Sequence, residues 1–225
     1  MLTASVRALT ALPEHARVLD VGGWGAPFAR ADVVIDLMPY DTRGLYGTND
    51  GTARFTADTW VQHDVCDAGP WPFADKSFDV AVCSHLLEDV RDPLRVCAEL
   101  SRVAHRGYIE VPAPVEELTF GVQGDWVGWS HHRWITELDE GELVFTHKPH
   151  LLSAPGRHLP AGTCDGLADG DRVLTLWWDD EVRAREQVFI GAELFDPWLQ
   201  ALLDRSRRRD GPKPPGRRGR RRRSA

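Results

Sequence analysis

Apolar positions in the first half of the chain fall into short runs, each closed by a polar or glycine residue. Residues 17–21 break at once into Gly22 and Gly23, and residues 33–36 run through Val33, Val34 and Ile35 onto Asp36. Residues 60–63 close on Asp64, residues 78–83 lead to Ser84 and His85, and residues 108–111 stop at Pro112. Near-continuous apolar runs of this length are the pattern of strands buried on both faces, as in parallel sheets. Helical periodicity lies around them. Residues 3–12 predict a short leading helix ended by Pro13. Asp92 predicts an N-cap and Pro93 a first helical residue, with Val96, Leu100 and Val103 following at helical spacing. Gly107 is expected to break that helix. Strands alternating with such connections predict an α/β fold, a Rossmann-like and mostly parallel sheet.

The spacing adds two details. Residues 25–32 alone separate the glycine turn from the second strand, whereas a parallel crossover normally needs a dozen residues or more. A shortened first crossover helix, one turn or none, is therefore expected. Residues 39–58, rich in Gly, Thr and Asp, predict a long loop. The second half has another texture. Residues 143–146 and 173–178 predict strands, and residues 179–181 predict a turn into a further strand at 185–190, antiparallel to the one before it. A last helix is predicted with Asp196 as cap, Pro197 as first residue, and Trp198, Leu199, Leu202 and Leu203 on one face.

Charge divides the chain further. The net charge of −7 combines a tail from residue 205 onward with eleven basic residues and one acid, net +10, and a body of net −17. The acidic body does not suit a nucleic-acid-binding domain. The Arg-, Pro- and Gly-rich tail, 205–225, predicts a solvated disordered segment, capable at most of weak, non-specific nucleic-acid contact. The expected organisation is one domain over 1–204, with 113–170 as an acceptor-side insertion, followed by that tail. The four cysteines, Cys66, Cys83, Cys97 and Cys164, form no CxxC pair and read as reduced thiols of a cytoplasmic protein. No apolar run approaches the roughly 20 residues that span a bilayer, so no membrane insertion is expected.

Open parallel sheets bind ligands outside the carboxyl ends of their strands. There the chain places Asp20, Gly22, Gly23 and Trp24 after the first strand, Asp36 after the second, Asp64 and Val65 after the third, and Ser84 and His85 after the fourth. A tight glycine turn lets a ligand approach the backbone, and a carboxylate at the second tip can accept both hydroxyls of a ribose.

In order and spacing these residues resemble a known family, the class I S-adenosylmethionine-dependent methyltransferases of the group called methyltransferase type 11. The resemblance runs from about residue 17 to residue 112. It includes Asp20, Gly22 and Ala26, then Asp36, then Asp64 with Val65. It continues through Pro72-Phe73-Ala74-Asp75-Lys76-Ser77-Phe78-Asp79-Val80, then Ser84-His85-Leu86-Leu87-Glu88-Asp89-Val90 and Asp92-Pro93. It implies S-adenosylmethionine as cofactor, with Asp20, Gly22, Gly23, Trp24, Asp36, Asp64, Val65 and Ser84 around it. Trp24 replaces the family's middle glycine; it either packs against the ligand or covers the sheet edge.

His85 is the candidate general base. Glu110 also stands near a strand tip and reads equally well as structural. Residues 121–134 form the candidate acceptor loop, with Trp126, Trp129, His131 and His132 as substrate contacts; aromatic and polar groups of this kind suit a sugar or metabolite, or pack as a flap on the sheet. No metal is expected, because adjacent His131 and His132 on a strand would point to opposite faces. The expected function is methyl transfer to a small-molecule acceptor. The alternatives are a non-catalytic binding module and an RNA-modifying methyltransferase anchored by its tail. A nicotinamide-dependent enzyme is disfavoured because the turn does not read GxGxxG.

Overall fold

The computed structural model describes residues 1–47 and 51–207. The short apolar runs are strands: β1 (Val18–Val21), β2 (Val33–Asp36), β3 (Trp60–Gln62), β4 (Phe78–Ser84) and β5 (Ala104–Pro112). All residues of β1 and β2 are buried. These five strands are parallel in the order β3-β2-β1-β4-β5, with Leu19 level with both Val33 and Ala81. Strand β8 (Val173–Asp179) joins the β5 edge antiparallel. The fold is thus a Rossmann-like, mostly parallel sheet with an antiparallel C-terminal strand.

Alternation along the strands builds two cores. Leu19, Val21, Ile35, Ala81, Cys83 and Ile109 face one side, where α2 (Pro93–Val103) covers them with Val96, Leu100 and Val103. Each valine, leucine and isoleucine among them contributes about 1.5–3 kcal/mol by leaving water. Asp92 caps α2 as expected, its Oδ1 accepting from Arg95 N at 2.9 Å. Val18, Val34, Val80, Val82 and Tyr108 face the other side, which α1 (Thr3–Thr10) and loop residues Phe28 and Phe55 cover.

No helix lies between β1 and β2. Buried Arg30 braces that connection instead, donating to Pro13 O and Ala16 O at 2.9 Å each and to Asp32 at 3.1 Å. A side chain thereby fixes what a crossover helix fixes elsewhere.

A smaller sheet holds β6 (Trp134–Asp139), β7 (Glu142–His147) and β9 (Ala184–Glu186). A third cluster packs α3 (Pro114–Leu118) against α5 (Ala192–Arg207) through Val115, Leu118, Leu199, Leu202 and Leu203. A four-residue helix, α4 (Asp169–Arg172), precedes β8.

Three local expectations need correction. Gly107 does not break α2; the helix ends at Val103 and Gly107 lies inside β5. It is small because a Cβ there would stand 2.2 Å from Ala81 O and 2.7 Å from the Trp178 ring. The segment after residue 181 does not pair with β8. Strand β9 crosses to the other sheet and runs parallel to β7, with Leu143 level with Ala184. Asp196 does not cap the last helix, and Pro197 lies inside it. The Asp196 carboxylate is held by Arg157 at 2.7 and 2.9 Å, and Phe195, packed with Phe189 and Trp198, draws the earlier turn into the helix.

Helix α5 carries through Arg207, so the start of the basic segment is helical, and residues 208–225 lie outside the described residues. All four cysteines are buried and unpaired. Among the described residues no helix is long and apolar enough to cross a membrane.

Candidate functional site

The carboxyl ends of β1, β2 and β4 meet at one edge, and two groups of residues collect there. The first is built on the backbone. Gly22 N donates to Ile35 O at 2.9 Å, tying the turn to β2. Gly23 lies directly on the Asp20 carboxylate; a Cβ there would stand 2.3 Å from Oδ2. Asp20 itself is buried and accepts the Phe28 N–H at 2.8 Å, so it holds the helix-free connection. Burial, with the nearby charge of Asp36, pushes its carboxyl up to about 7. At the β2 tip, Asp36 accepts Trp24 N–H at 3.0 Å on Oδ2 and Met38 N–H at 2.8 Å on Oδ1.

Trp24 turns its indole N–H onto Thr42 O at 2.7 Å. Its carbonyl accepts Gly44 N–H at 2.7 Å, and Gly25 O accepts Tyr46 N–H at 2.8 Å. Residues 40–46 thus brace the turn where a crossover helix would otherwise begin.

At the β3 tip, Asp64 pairs with Arg91 at 2.6 Å, and that hydrogen bond holds its carboxyl below the usual range. Val65 is buried, and its carbonyl accepts the Trp71 indole N–H at 3.0 Å. Leu37, just past Asp36, is 60 % exposed. Sequence reasoning passed over Leu37, although its place immediately after the strand-tip acid is a signal.

The second group is built from side chains. His85 follows Ser84, the last residue of β4, and takes a left-handed backbone with φ 53°. Its Nδ1 lies 3.3 Å from Glu88 Oε1 and its Nε2 lies 3.2 Å from Glu110 Oε1. Burial works to lower its pKa, but the hydrogen bonds and charges of the two carboxylates bring it up to about 9. Glu110, buried in β5, also accepts from Tyr108 Oη and from Leu2 N. Burial would raise its pKa, but those donors and His85 bring it down to about 2. Burial pushes Glu88 and Asp89 up.

The candidate acceptor loop docks on this group. Arg133 N donates to Glu88 O at 2.7 Å and the Trp134 indole to Val90 O at 2.8 Å. His131 and His132 sit before β6 in a turn, not on a strand, so their rings meet edge-on at 4.6 Å. Trp129 stacks on His132 at 5.8 Å and stands edge-on to His131 at 6.0 Å. His132 Nδ1 is 2.5 Å from Glu117 Oε1, and Lys148 Nζ donates to Glu117 Oε2 at 2.7 Å. Trp126, 59 % exposed, shares no ring contact with this cluster among the described residues.

Asp89, Glu117 and Lys148 were not found by sequence reasoning. Glu117 and Lys148 are ordinary charged residues that no local pattern marks, and Asp89 lies in the 84–90 motif without any local sign of its distant partners.

A nucleoside cofactor fits the first group. Gly23 packs too closely on the Asp20 carboxylate for any side chain, Asp36 accepts main-chain N–H groups at the adjoining strand tip, and Leu37 offers exposed apolar surface beside it.

The comparisons bear on the same edge. Residues 45–109 match the methyltransferase domain family. No curated protein matches the sequence. Among solved structures, the chain is similar to an S-adenosylmethionine-dependent methyltransferase from Mesorhizobium loti, at 21% identity, covering 66% of this chain and 64% of that one, with a TM-score of 0.37. It is similar to the YcgJ protein from Bacillus subtilis, at 17% identity over 49% of each chain, with a TM-score of 0.39. It is also similar to an arsenic(III) S-adenosylmethionine methyltransferase from Chlamydomonas reinhardtii, at 18% identity over 48% of this chain and 49% of that one, with a TM-score of 0.35. The chain spans about half the length of the first solved structures it matches. Together, a methyltransferase-domain stretch at residues 45–109 and a Rossmann-like sheet give a chain that resembles the class I S-adenosylmethionine-dependent methyltransferases.

Proposed function

We propose that this chain is an S-adenosylmethionine-dependent methyltransferase acting on a small-molecule acceptor, a sugar or another metabolite. The observation that carries the reading is the tie between the glycine turn and Asp36 at adjoining strand tips, in a chain whose residues 45–109 match the methyltransferase domain family. S-adenosylmethionine, when bound, supplies a methyl group on a sulfonium.

The chain's residues supply alignment, which is worth up to about 7–11 kcal/mol in a displacement of this kind. Asp36 offers its remaining lone pairs to ribose hydroxyls. Exposed Leu37 offers a ledge to a flat base. Glu110 carries negative charge on the acceptor side, offset by the proton that His85 keeps between it and Glu88. His85 was expected as a base. With both ring nitrogens facing carboxylates, and a pKa near 9, it keeps its proton at neutral pH and has no lone pair to offer. It is better assigned to positioning: it holds Glu88 and Glu110 in place. The Trp129–His132 stack gives the acceptor a flat, partly polar wall that suits a sugar ring.

The test is transfer of isotope-labelled methyl from S-adenosylmethionine. Sugars and small metabolites are offered in one arm and total RNA in another. Label in the small-molecule arm supports the reading. Label in the RNA arm alone, or in neither, overturns it.

A further inference from the structure

We propose that Asp89, His131 and His132 form a site for a divalent first-row transition-metal ion such as Zn²⁺. Asp89 Oδ1 lies 3.9 Å from His131 Nε2 and 3.9 Å from His132 Nε2, and the three donor atoms lie within 4.8 Å of one another.

Three further features favour an ion there. First, His132 is already oriented as a ligand. Its Nδ1 faces Glu117, a carboxylate only 1% exposed that is itself fixed by Lys148. A proton held on Nδ1 by a carboxylate leaves Nε2 with its lone pair free, the tautomer and carboxylate support of a metal-ligating histidine. Second, that lone pair looks toward Asp89 Oδ1, an atom that is buried from water and has no hydrogen-bond partner among the described residues. A buried carboxylate oxygen opposed by a nitrogen lone pair is a cost with nothing to offset it, and a cation between them removes the cost. Third, the pair is pinned: Arg133 N to Glu88 O at 2.7 Å fixes residues 131–133 against the turn that carries Asp89.

Two imidazoles and one carboxylate suit zinc or another first-row divalent ion and leave coordination positions open for water or an acceptor oxygen. Metal–ligand bonds of about 2.0–2.2 Å at tetrahedral angles put donor atoms roughly 3.3 Å apart, so movements on the order of 1 Å or less by both the Asp89 carboxylate and half-exposed His131 close the shell.

The proposal is independent of methyl transfer, because its readout is metal binding. The full chain, stripped with a chelator and desalted, is titrated with Zn²⁺ by calorimetry and with Co²⁺ by visible absorption. The expected result is a single equivalent of Zn²⁺ and a Co²⁺ ligand-field band. Each of Asp89→Asn and His131→Ala should weaken Zn²⁺ about tenfold or more and abolish the band, and Glu117→Gln should weaken it about 10–100-fold. His150→Ala, on an exposed turn, should change nothing. His131 is exposed enough that its variant keeps the fold even if the Glu117 variant does not. No stoichiometric Zn²⁺ binding by the folded chain overturns the site, as does binding that survives both Asp89→Asn and His131→Ala.

Discussion

The two groups at the sheet edge reach order by opposite means. The turn after β1 is held mostly by main-chain bonds, Gly22 to Ile35 and Trp24 and Gly25 to residues 44 and 46, with the Asp36 carboxylate accepting Trp24 N–H as the side-chain exception. The acceptor-side cluster is held by side chains, with His85 between Glu88 and Glu110, and Glu117 between His132 and Lys148. Backbone-held turns tolerate the loss of one side chain, because neighbouring peptide bonds remain. Buried charge clusters do not, because removing one member strands the others. The turn is therefore a place to change affinity, and the cluster is a place to change stability.

The largest expected effect breaks the cluster. Glu117→Ala leaves buried His132 and Lys148 without their carboxylate and should cost about 3–5 kcal/mol in urea unfolding. A loss below about 1 kcal/mol would place the cluster's stability elsewhere. Next, Asp36→Ala should weaken S-adenosylhomocysteine about 10–100-fold, since hydrogen bonds to a charged acceptor contribute about 1.5–3 kcal/mol. Its effect on unfolding should be smaller than that of Glu117→Ala. An equal effect would erase the contrast between the two regions.

The third prediction concerns pH. Holding His85 near 9, above its ordinary 6.5, gives stability that is fully present below pH 6.5 and lost as pH rises through about 9. Holding Glu110 near 2, below its ordinary 4.5, gives stability that is present above pH 4.5 and lost as pH falls through about 2. Unfolding measured across pH should show both limbs, and His85→Gln should flatten the alkaline one. Because 45% of the His85 side chain is exposed, water screening keeps that limb shallow. The smallest effect is that of Trp24→Phe, which loses the indole bond to Thr42 O and should cost about 0.5–1 kcal/mol with little change in cofactor affinity. A tenfold loss of affinity would instead place the ring against the ligand.

The same contrast decides what was legible in the sequence. Strands β1, β2 and β4 and helix α2 could be read because apolar runs, strand-tip acids and the Asp92-Pro93 cap are local signals. The helix-free first connection followed from counting residues. Gly107 was misread because its reason, the Trp178 ring and the Ala81 carbonyl, arrives from distant strands. Strand β9 was misplaced because a turn after β8 says nothing about which sheet receives the chain. In the candidate site, the strand-tip positions of Asp36 and the glycines could be read from the sequence. Glu117 and Lys148 did not, since they lie 31 residues apart and meet only in the folded chain. The strand premise of the opposite-faces argument does not hold, because His131 and His132 lie before β6 in a turn.

The most direct measurement of the central claim is calorimetric titration of the wild-type chain and Asp36→Ala with S-adenosylmethionine and S-adenosylhomocysteine. The account predicts micromolar-range binding, about −8 kcal/mol, at a single site, weakened at least about tenfold in the variant. Folded wild-type protein that binds neither ligand, or a variant that binds both as tightly, would contradict it.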